Sequence, residues 1–218
     1  MTKIYFVRHG KTEWNLEGRY QGAHGDSPLL KQSYLEIALL AEHLKDVDFA
    51  KAYASPIKRA RVTAQKLVML LEKPVKLEEN QAFQEFNLGQ MEGMKVSDAK
   101  AKFPQALAAF KNHPDQYDGH KIGGENYQDV IDRMTPEIKK ICQRYPQENI
   151  LLVSHGAALC AEIRHLMGVP LADLRAKGGL ANTSTTILES TDLGETFKCL
   201  AWNQTDYLKK KLDPTDIV

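Results

Sequence analysis

The chain has 218 residues, of which 29 are Lys or Arg and 28 are Asp or Glu, so its formal net charge at pH 7 is +1. Hydrophobic residues make up 43% and charged residues 26% of the sequence, which excludes a disordered chain, a collagen-like fibre and a disulfide scaffold. A charge this close to neutral argues against a nucleic-acid partner. The length predicts one domain over residues 1–218.

The cysteines and the N-terminus indicate the compartment. Cys142, Cys160 and Cys199 are an odd number without CxxC spacing, so we expect free thiols in a reducing, cytoplasmic environment. The N-terminal apolar run ends at a charge after four residues, and no stretch approaches the roughly 18 apolar residues of a spanning helix. We therefore expect no export signal and no membrane partner.

Apolar spacing predicts strands that alternate with helices. In chain order we expect a strand at 4–7, a helix at 28–44, a strand at 49–54, a helix from Ser55 to Lys73, a short helix near 96–111, a helix from about 125 to 145, a strand at 149–154, a helix at 157–168, and strands near 184–190 and 197–203. Ser55 suits the N-cap and Pro56 the first helical position. The alternation implies an α/β fold whose largely parallel sheet is covered on both faces.

Residues 88–122 interrupt this alternation. They are polar, rich in lysine and punctuated by glycine and proline. We interpret the segment as an insertion within the single domain rather than as a second domain.

Two apolar strands of similar sequence are each followed by an x-His-Gly triplet, Arg8-His9-Gly10 and Ser154-His155-Gly156. Because ligands of open α/β sheets bind at the carboxyl ends of the strands, we expect both imidazoles in one crevice. A single strand-end histidine is usually explained by a hydrogen bond to a turn. The repeated context, with Arg8 beside one triplet, favours a chemical role instead.

The other residue types in the sequence indicate which reaction the two histidines serve. None of the seven histidines forms an HxH, HxxxH or HExxH pattern, so the sequence predicts no metal site. The GxxxxGK[ST] and GxGxxG phosphate loops are absent, and no cysteine has the arginine six positions later that a cysteine phosphatase needs. Guanidinium groups bind phosphate through paired hydrogen bonds, and a neutral imidazole is a nucleophile. With Arg59 and Arg61 near a helix N-terminus, we expect phosphoryl transfer.

The segment RHGKTEWN at 8–15 resembles the signature of the histidine phosphatase superfamily, which includes cofactor-dependent phosphoglycerate mutases. Further segments follow in that family's order from about residue 3 to 202: GRYQG at 18–22, DSPL at 26–29, SPIKRA at 55–60, Glu85, Glu92-Gly93, Gly124-Glu125 and Ser154-His155-Gly156. The resemblance implies a phosphoglycerate-mutase-like, three-layer α/β/α fold in which residues 88–122 form a small helical cap.

The resemblance also implies roles for individual residues. His9 is expected to be the phosphorylated nucleophile, and Glu85 the general acid that protonates the leaving alkoxide and then activates water. The residues expected to hold the phosphoryl group or substrate are Arg8, Asn15, Gln21, Gly22, Arg59, His155 and Gly156. The resemblance implies no role for Arg61, which we interpret as a solvated charge.

The insertion bears on the choice between phosphatase and mutase. Mutases of this family carry adjacent arginines there, whereas this chain has no arginine between Arg61 and Arg133. Lysines in the insertion provide point charges without the bidentate fork. We therefore expect a metal-independent phosphomonoesterase that acts on a small phosphorylated metabolite and needs no cofactor. A phosphoglycerate mutase and a non-catalytic phospho-ligand-binding protein are the alternatives.

The chain departs from the family pattern at the start of the helix predicted over 28–44. Leu30 stands where the family usually has Thr, and Ser33 where it has Gly. Because threonine caps helices and leucine does not, we expect this helix to begin without a side-chain cap. The effect should fall on helix stability more than on catalysis.

Overall fold

The computed structural model describes residues 1–217, so Val218, the last residue of the predicted domain, lies outside the described part. Six strands form one sheet in the order β3-β2-β4-β1-β5-β6. The strands are β1 (Thr2–Arg8), β2 (Phe49–Ala54), β3 (Leu77–Glu79), β4 (Asn149–Ser154), β5 (Thr185–Ser190) and β6 (Lys198–Gln204). The first four strands along the chain are parallel, and β5 is antiparallel to both of its neighbours.

Helices cover both faces of this sheet. Those in the described residues are α1 (Glu13–Leu16), α2 (Lys31–His43), α3 (Lys58–Leu70), α4 (Val96–Lys102), α5 (Pro104–Asn112), α6 (Tyr127–Arg144) and α7 (Gly156–Leu166). Side chains of β1 point alternately to the two faces of the sheet, and each face has its own hydrophobic cluster. Ile4 and Phe6 pack in the cluster that includes α6 and α7, whereas Val7 packs in the cluster that includes α2 and α3. The three-layer fold with a largely parallel sheet is confirmed.

One strand was not predicted. Residues 77–79 pair in parallel with β2 and form the short edge strand β3. Glu78 and Glu79 are exposed in this strand, so it has no apolar run by which to recognise it.

The predicted start of α3 is wrong. The helix begins at Lys58, because Ile57 has an extended backbone with φ −65° and ψ 130°. Its N-cap is therefore Ile57 and not Ser55, whose hydroxyl oxygen accepts a hydrogen bond from the Ile57 N–H at 3.2 Å. Residues Ser55 and Pro56 instead form the turn between β2 and α3.

The helix predicted near 96–111 is two helices, α4 and α5. They are separated at Phe103, whose backbone has φ −128° and ψ 54°. Pro104 is responsible, because a proline disfavours helical geometry in the residue before it while suiting the first position of the next helix.

The uncapped start of α2 is confirmed. Leu30 occupies the N-cap position and makes no side-chain capping bond. The Ser33 hydroxyl instead donates to the Lys11 carbonyl at 2.6 Å. This bond ties α2 to the loop that follows β1.

Two other expectations concern the whole chain. The three cysteines are free thiols. No helix within residues 1–217 combines the length and apolarity that crossing a bilayer requires.

Candidate active site

The carboxyl ends of β1 and β4 bring the two histidines together. The strands are parallel neighbours in which Arg8 pairs with Ser154, and the His9 N–H donates to the Ser154 carbonyl at 3.0 Å. The imidazole rings of His9 and His155 lie edge to face with their centroids 5.2 Å apart. Both triplets therefore contribute to one crevice, as their repeated context predicts.

His9 is held as a neutral imidazole. Its Nδ1 lies 2.8 Å from the Gly10 carbonyl oxygen, which only accepts hydrogen bonds, so Nδ1 carries the proton and Nε2 has a free lone pair. Burial lowers the pKa of His9 well below its ordinary value, and the charges of Arg59 and Arg8 lower this pKa further. An uncharged ring with Nε2 free is the form that attacks phosphorus.

Arg8 is fixed by backbone carbonyls. Its Nη1 donates to the carbonyl oxygens of Leu180 at 2.6 Å and Asp216 at 2.8 Å. Burial lowers the pKa of Arg8 to about 10, so the guanidinium stays charged at neutral pH. Its Nε atom is buried and has no partner among the described residues, which leaves a donor for an anion.

Arg59 lies in the first turn of α3 and holds the loop over residues 22–26. It donates from Nη2 to the Gly22 carbonyl at 2.8 Å and from Nη1 to the Gly25 carbonyl at 2.7 Å, and it pairs with the Asp26 carboxylate at 3.2 Å. Its Nε, like that of Arg8, is buried without a partner within residues 1–217. Arg61 lies on the same helix, is partly exposed and faces Glu79 at 3.7 Å, consistent with a solvated charge.

Glu92 anchors the same loop from the insertion. Its carboxylate accepts hydrogen bonds from the backbone N–H groups of Ala23, His24, Gly25 and Leu88 at 2.6–3.1 Å. Gly22 has a φ of +64°, and a Cβ at this position would lie 2.3 Å from a Glu92 carboxylate oxygen. The loop geometry therefore requires both the glycine and the acid.

Glu85 is buried at the N-terminus of α7. Its Oε1 accepts from the backbone N–H groups of Ala158 at 2.7 Å and Phe86 at 2.9 Å, while among residues 1–217 Oε2 accepts only from Ala157 at 3.1 Å. The Glu85 carbonyl accepts from Arg133 at 3.1 Å. Oε2 thus has the greater capacity left to exchange a proton with a bound molecule.

His155 stands beside His9 rather than on the pocket wall. It is fully buried, and its Nε2 lies 2.7 Å from the Ser55 hydroxyl. Burial lowers the pKa of His155 well below its ordinary value, and the charge of Arg59 adds to this effect. Nε2 and the Ser55 hydroxyl share one hydrogen bond, and Nδ1 has no hydrogen-bond partner within the described chain.

The site opens into a pocket of about 290 Å³. The predicted site residues that line it are Arg8, His9, Asn15, Gln21, Gly22, Arg59 and Glu85. His155 and Gly156 do not line it, since Gly156 begins α7 behind His155. The structure therefore brings seven predicted residues to one surface and places two in its support.

Asn15 and Gln21 are both fastened by Thr12. The Asn15 side-chain oxygen accepts from the Thr12 N–H and hydroxyl, each at 3.1 Å, in the capping box of α1. The Gln21 amide donates to the Thr12 hydroxyl oxygen at 2.7 Å. These bonds explain how each side chain is oriented at the pocket.

The C-terminal segment was missed by the sequence reasoning. Pro214, Thr215 and Ile217 line the pocket, and the Asp216 carbonyl holds Arg8. Lys11 fixes this segment through ion pairs with Asp216 at 3.1 Å and Asp213 at 3.0 Å. No local pattern in the sequence signals these contacts, because they join residues about 200 positions apart, and the contact to Arg8 uses a backbone carbonyl.

Comparison with known proteins identifies the chain. Residues 4–205 match the family described as "Histidine phosphatase superfamily (branch 1)". This chain belongs to the histidine phosphatase superfamily. Its relatives in this superfamily include phosphatases and phosphoglycerate mutases.

Individual relatives illustrate that range. A protein named "Uncharacterized phosphatase PhoE" from Bacillus subtilis is 30% identical over 77% of this chain and 79% of its own length. The 2,3-bisphosphoglycerate-dependent phosphoglycerate mutase of Brucella melitensis is 31% identical over 76% of this chain and 82% of its own. The solved structure of YhfR from Bacillus stearothermophilus has a TM-score of 0.87 at 28% identity, and the match covers 95% of this chain and all of that one.

These matches indicate the general class of activity. They support an enzyme with histidine phosphatase family activity, a phosphatase or a mutase, that acts on small phosphorylated molecules. In the part of the chain that the structure describes, no three His, Cys, Asp or Glu side chains are arranged to hold a metal ion.

Proposed function

We propose that this protein is a metal-independent phosphomonoesterase that hydrolyses small phosphate esters through a phosphohistidine at His9. The observation that carries the proposal is the neutral His9 imidazole, with Nε2 free, beside Arg8 and Arg59. Each of these arginines has a buried Nε donor without a partner among residues 1–217. A phosphoryl group accepts hydrogen bonds from such donors and is neutralised by their charges.

In the first half of the reaction, Nε2 of His9 attacks phosphorus and the P–O bond of the ester breaks. The phosphoryl group moves to Nε2, and its equatorial oxygens are stabilised by Arg8 and Arg59, while His155 supports the site from beside His9. The departing alkoxide takes a proton from Glu85, through the Oε2 oxygen that accepts only one backbone bond. The free alcohol then leaves.

In the second half, water attacks the phosphorus of phosphohistidine. Glu85, now a carboxylate, accepts the proton of that water, the N–P bond breaks, and inorganic phosphate leaves with His9 neutral again. Both halves use the same hydrogen-bond donors to the phosphoryl oxygens. Because Glu85 gives up one proton in the first half and accepts one in the second, the enzyme returns to its starting protonation state.

We propose that residues 88–122 act as a cap that selects the leaving group. Leu88, Val96, Phe110 and Lys111 from this segment line the pocket, which supports this role. Val96→Ala is expected to change the ranking of esters by kcat/KM while leaving the inhibition constant of inorganic phosphate unchanged. An equal loss for every ester, together with weaker phosphate inhibition, would contradict the cap.

Phosphoglycerate mutase is the second candidate, and the identity with the Brucella enzyme favours it. The same site would then return the phosphoryl group to an alcohol rather than to water. The free cysteines support a reducing, cytoplasmic location for either enzyme.

The test is phosphate release from a panel of phosphomonoesters, including phosphoglycerates and sugar phosphates, in the presence of EDTA. We expect release by the wild type and a loss of at least about 10⁴-fold in His9→Ala, because the nucleophile is removed. Release that stops on chelation would contradict metal independence. Isomerisation of phosphoglycerate without release of phosphate would select the mutase.

A further inference from the structure

The turn over residues 180–184, which leads into β5, contacts the phosphoryl site from behind. All five of its residues are buried. Its backbone holds Arg8 at two points. The Leu180 carbonyl accepts from the Arg8 guanidinium at 2.6 Å, and the Ser184 carbonyl accepts from the Arg8 N–H at 3.2 Å. The turn therefore contributes to the site, although it belongs to none of the segments that resemble the family motifs.

This turn contains a residue in the left-handed conformation, Thr183, whose φ is 58°. The conformation is unfavourable for a β-branched residue, and such strain persists only where the surrounding structure enforces it. In this geometry the Thr183 N–H lies close to two carbonyl oxygens, that of Arg8 at 3.1 Å and that of His9 at 3.3 Å. The strained turn is thus bonded to the backbone of the nucleophile.

Asn182, the residue before Thr183, bridges two parts of the site with one amide group. Its Nδ2 lies 3.1 Å from the His9 carbonyl oxygen and 3.3 Å from the Asn15 Oδ1. Because a carbonyl oxygen only accepts hydrogen bonds, the nitrogen of the Asn182 amide must face His9. The Thr12 N–H only donates, so it fixes the Asn15 amide with Oδ1 towards Thr12 and Asn182.

The orientation of Asn15 leaves its amide nitrogen for a ligand. Its Oδ1 accepts from the Thr12 N–H, the Thr12 hydroxyl and Asn182. Asn15 lines the pocket, and an amide N–H is a suitable donor to a phosphoryl oxygen. Asn182 therefore acts on a residue of the pocket and on the nucleophile at the same time.

The other end of the Asn182 amide is not paired. Its Oδ1 is buried and has no hydrogen-bond partner within residues 1–217. A buried acceptor without a donor is unfavourable, so a structure keeps one only when other contacts impose it. The two acceptors at the nitrogen end impose this orientation.

We propose that Asn182 is a positioning residue for phosphoryl transfer, which sets the spacing between the His9 nucleophile and the Asn15 amide. The two hydrogens of one planar amide nitrogen hold both partners and leave little freedom between them. A misplacement of about 1 Å between reacting groups can slow a reaction about 10²-fold. The proposal rests on the proposed function for the roles of His9 and Asn15.

The test is a double-mutant cycle on the binding of inorganic phosphate, measured by calorimetry, which requires no turnover. Asn15→Ala is expected to raise the Kd of phosphate about tenfold, because it removes the donor. Asn182→Ala is expected to raise this Kd about fivefold, because it misplaces the same donor. The double variant should bind about as Asn15→Ala does, whereas independent effects would multiply to about fiftyfold.

Asn203→Ala controls for general loosening of the turn. The Asn203 Oδ1 accepts from the Ala181 N–H at 2.8 Å, so it holds the same turn without contacting Asn15. Any effect of Asn203→Ala on the Kd should multiply with that of Asn15→Ala. Circular dichroism and urea denaturation check that each variant folds. If Asn182→Ala does not fold, Asn182→Ser repeats the cycle with the same expected coupling, since its hydroxyl is too short to bridge both partners.

The proposal is overturned if the effects of the Asn182 and Asn15 variants multiply, or if the Asn182 variant leaves the Kd of phosphate unchanged. Either result would assign Asn182 to the fold alone. Failure of the proposed function is a separate result. Wild-type protein that binds phosphate but releases none from any ester would contradict the phosphomonoesterase, and the cycle would still decide the role of Asn182.

Discussion

The two halves of the pocket are built differently. In the phosphoryl half, Arg8 and Arg59 are only 1% and 2% exposed, and both are held by backbone carbonyls outside the strands, such as those of Leu180 and Gly22. In the leaving-group half, Lys111 is exposed and projects from α5, a nine-residue helix. In the phosphoryl half, the hydrogen-bond donors are oriented before a ligand binds. In the leaving-group half, the side chains project from short helices.

This difference separates catalysis from selection. Donors that are already oriented need no reorganisation when charge develops on the phosphoryl oxygens. Exposed side chains on these short helices, such as Lys111, are replaced at little cost, because they are not packed in the core. Substitutions in the phosphoryl half should therefore affect all esters alike, and substitutions in the leaving-group half should affect them unequally.

Arg59→Lys should have the largest effect on activity among the substitutions in the phosphoryl half. Lysine keeps the charge but loses the fork that joins the carbonyls of Gly22 and Gly25. We expect kcat/KM to fall about 10²–10³-fold and equally for every ester. Arg61→Lys on the same helix is the matched control and should retain wild-type rates, while a loss that differs between esters would contradict a shared phosphoryl site.

Glu92→Gln should have the next largest effect. A glutamine side chain offers one acceptor oxygen where the carboxylate now receives four backbone N–H bonds, two of them from His24 and Gly25. We expect kcat/KM to fall about 10–100-fold for all esters and the free energy of unfolding to fall by about 1–3 kcal/mol. Kinetics and urea denaturation measure both, with Glu17→Gln as an exposed control. An unchanged unfolding midpoint would argue against Glu92 as the anchor.

Arg133→Met tests how Glu85 is positioned. Arg133 pairs with both carboxylate oxygens of Glu125 and donates to the Glu85 carbonyl. Its loss should lower kcat/KM about tenfold for alkyl esters, because a misplaced acid slows protonation of the alkoxide during transfer to His9.

The control for this variant uses the leaving group itself. With p-nitrophenyl phosphate, whose leaving group needs no proton, Arg133→Met should retain most of its kcat/KM, which reports phosphoryl transfer to His9 and not the later attack of water. Arg144→Met, at an exposed position of the same helix, should behave as wild type with both esters. An equal loss with alkyl and aryl esters would show that Arg133 acts on the fold rather than through Glu85.

Glu162→Gln should have the smallest effect on activity and a distinct effect on stability. Burial raises the pKa of Glu162 to about 8, while the Thr135 hydroxyl bond at 2.8 Å opposes this shift. Because the folded-state pKa is above the unfolded value, the contribution of Glu162 to stability falls as the pH rises from about 4.5 to about 8 and is level above that range.

Glutamine does not titrate, so the stability difference between Glu162→Gln and wild type should grow in favour of the variant across this window. The expected gain is on the order of a few kcal/mol, measured by urea denaturation at pH 5, 6.5 and 8. A difference that stays constant with pH would show that Glu162 is not protonated in the folded protein.

The sequence predicted the residues that stand at strand ends. His9 and His155 follow buried apolar runs, and the parallel order of β1 and β4 then brings them together. The helix split at Phe103 was missed, although Pro104 was visible, because a proline is compatible with either a helix start or a connecting loop.

Other parts of the site depend on contacts that a linear pattern does not contain. The Asp216 carbonyl that holds Arg8 is a backbone atom, so the identity of residue 216 does not reveal it. Serine is a common N-cap residue, but the turn after β2 directs the Ser55 hydroxyl to His155.

The central claim is that His9 carries the phosphoryl group during turnover. We would mix wild-type protein with an excess of a hydrolysed ester, quench in denaturant at alkaline pH within the first turnover, and measure the intact mass and the modified peptide. The account predicts one phosphoryl group on His9, labile to acid and absent from His9→Ala. Turnover without phosphorylated protein, or with the phosphoryl group on another residue, would contradict the account.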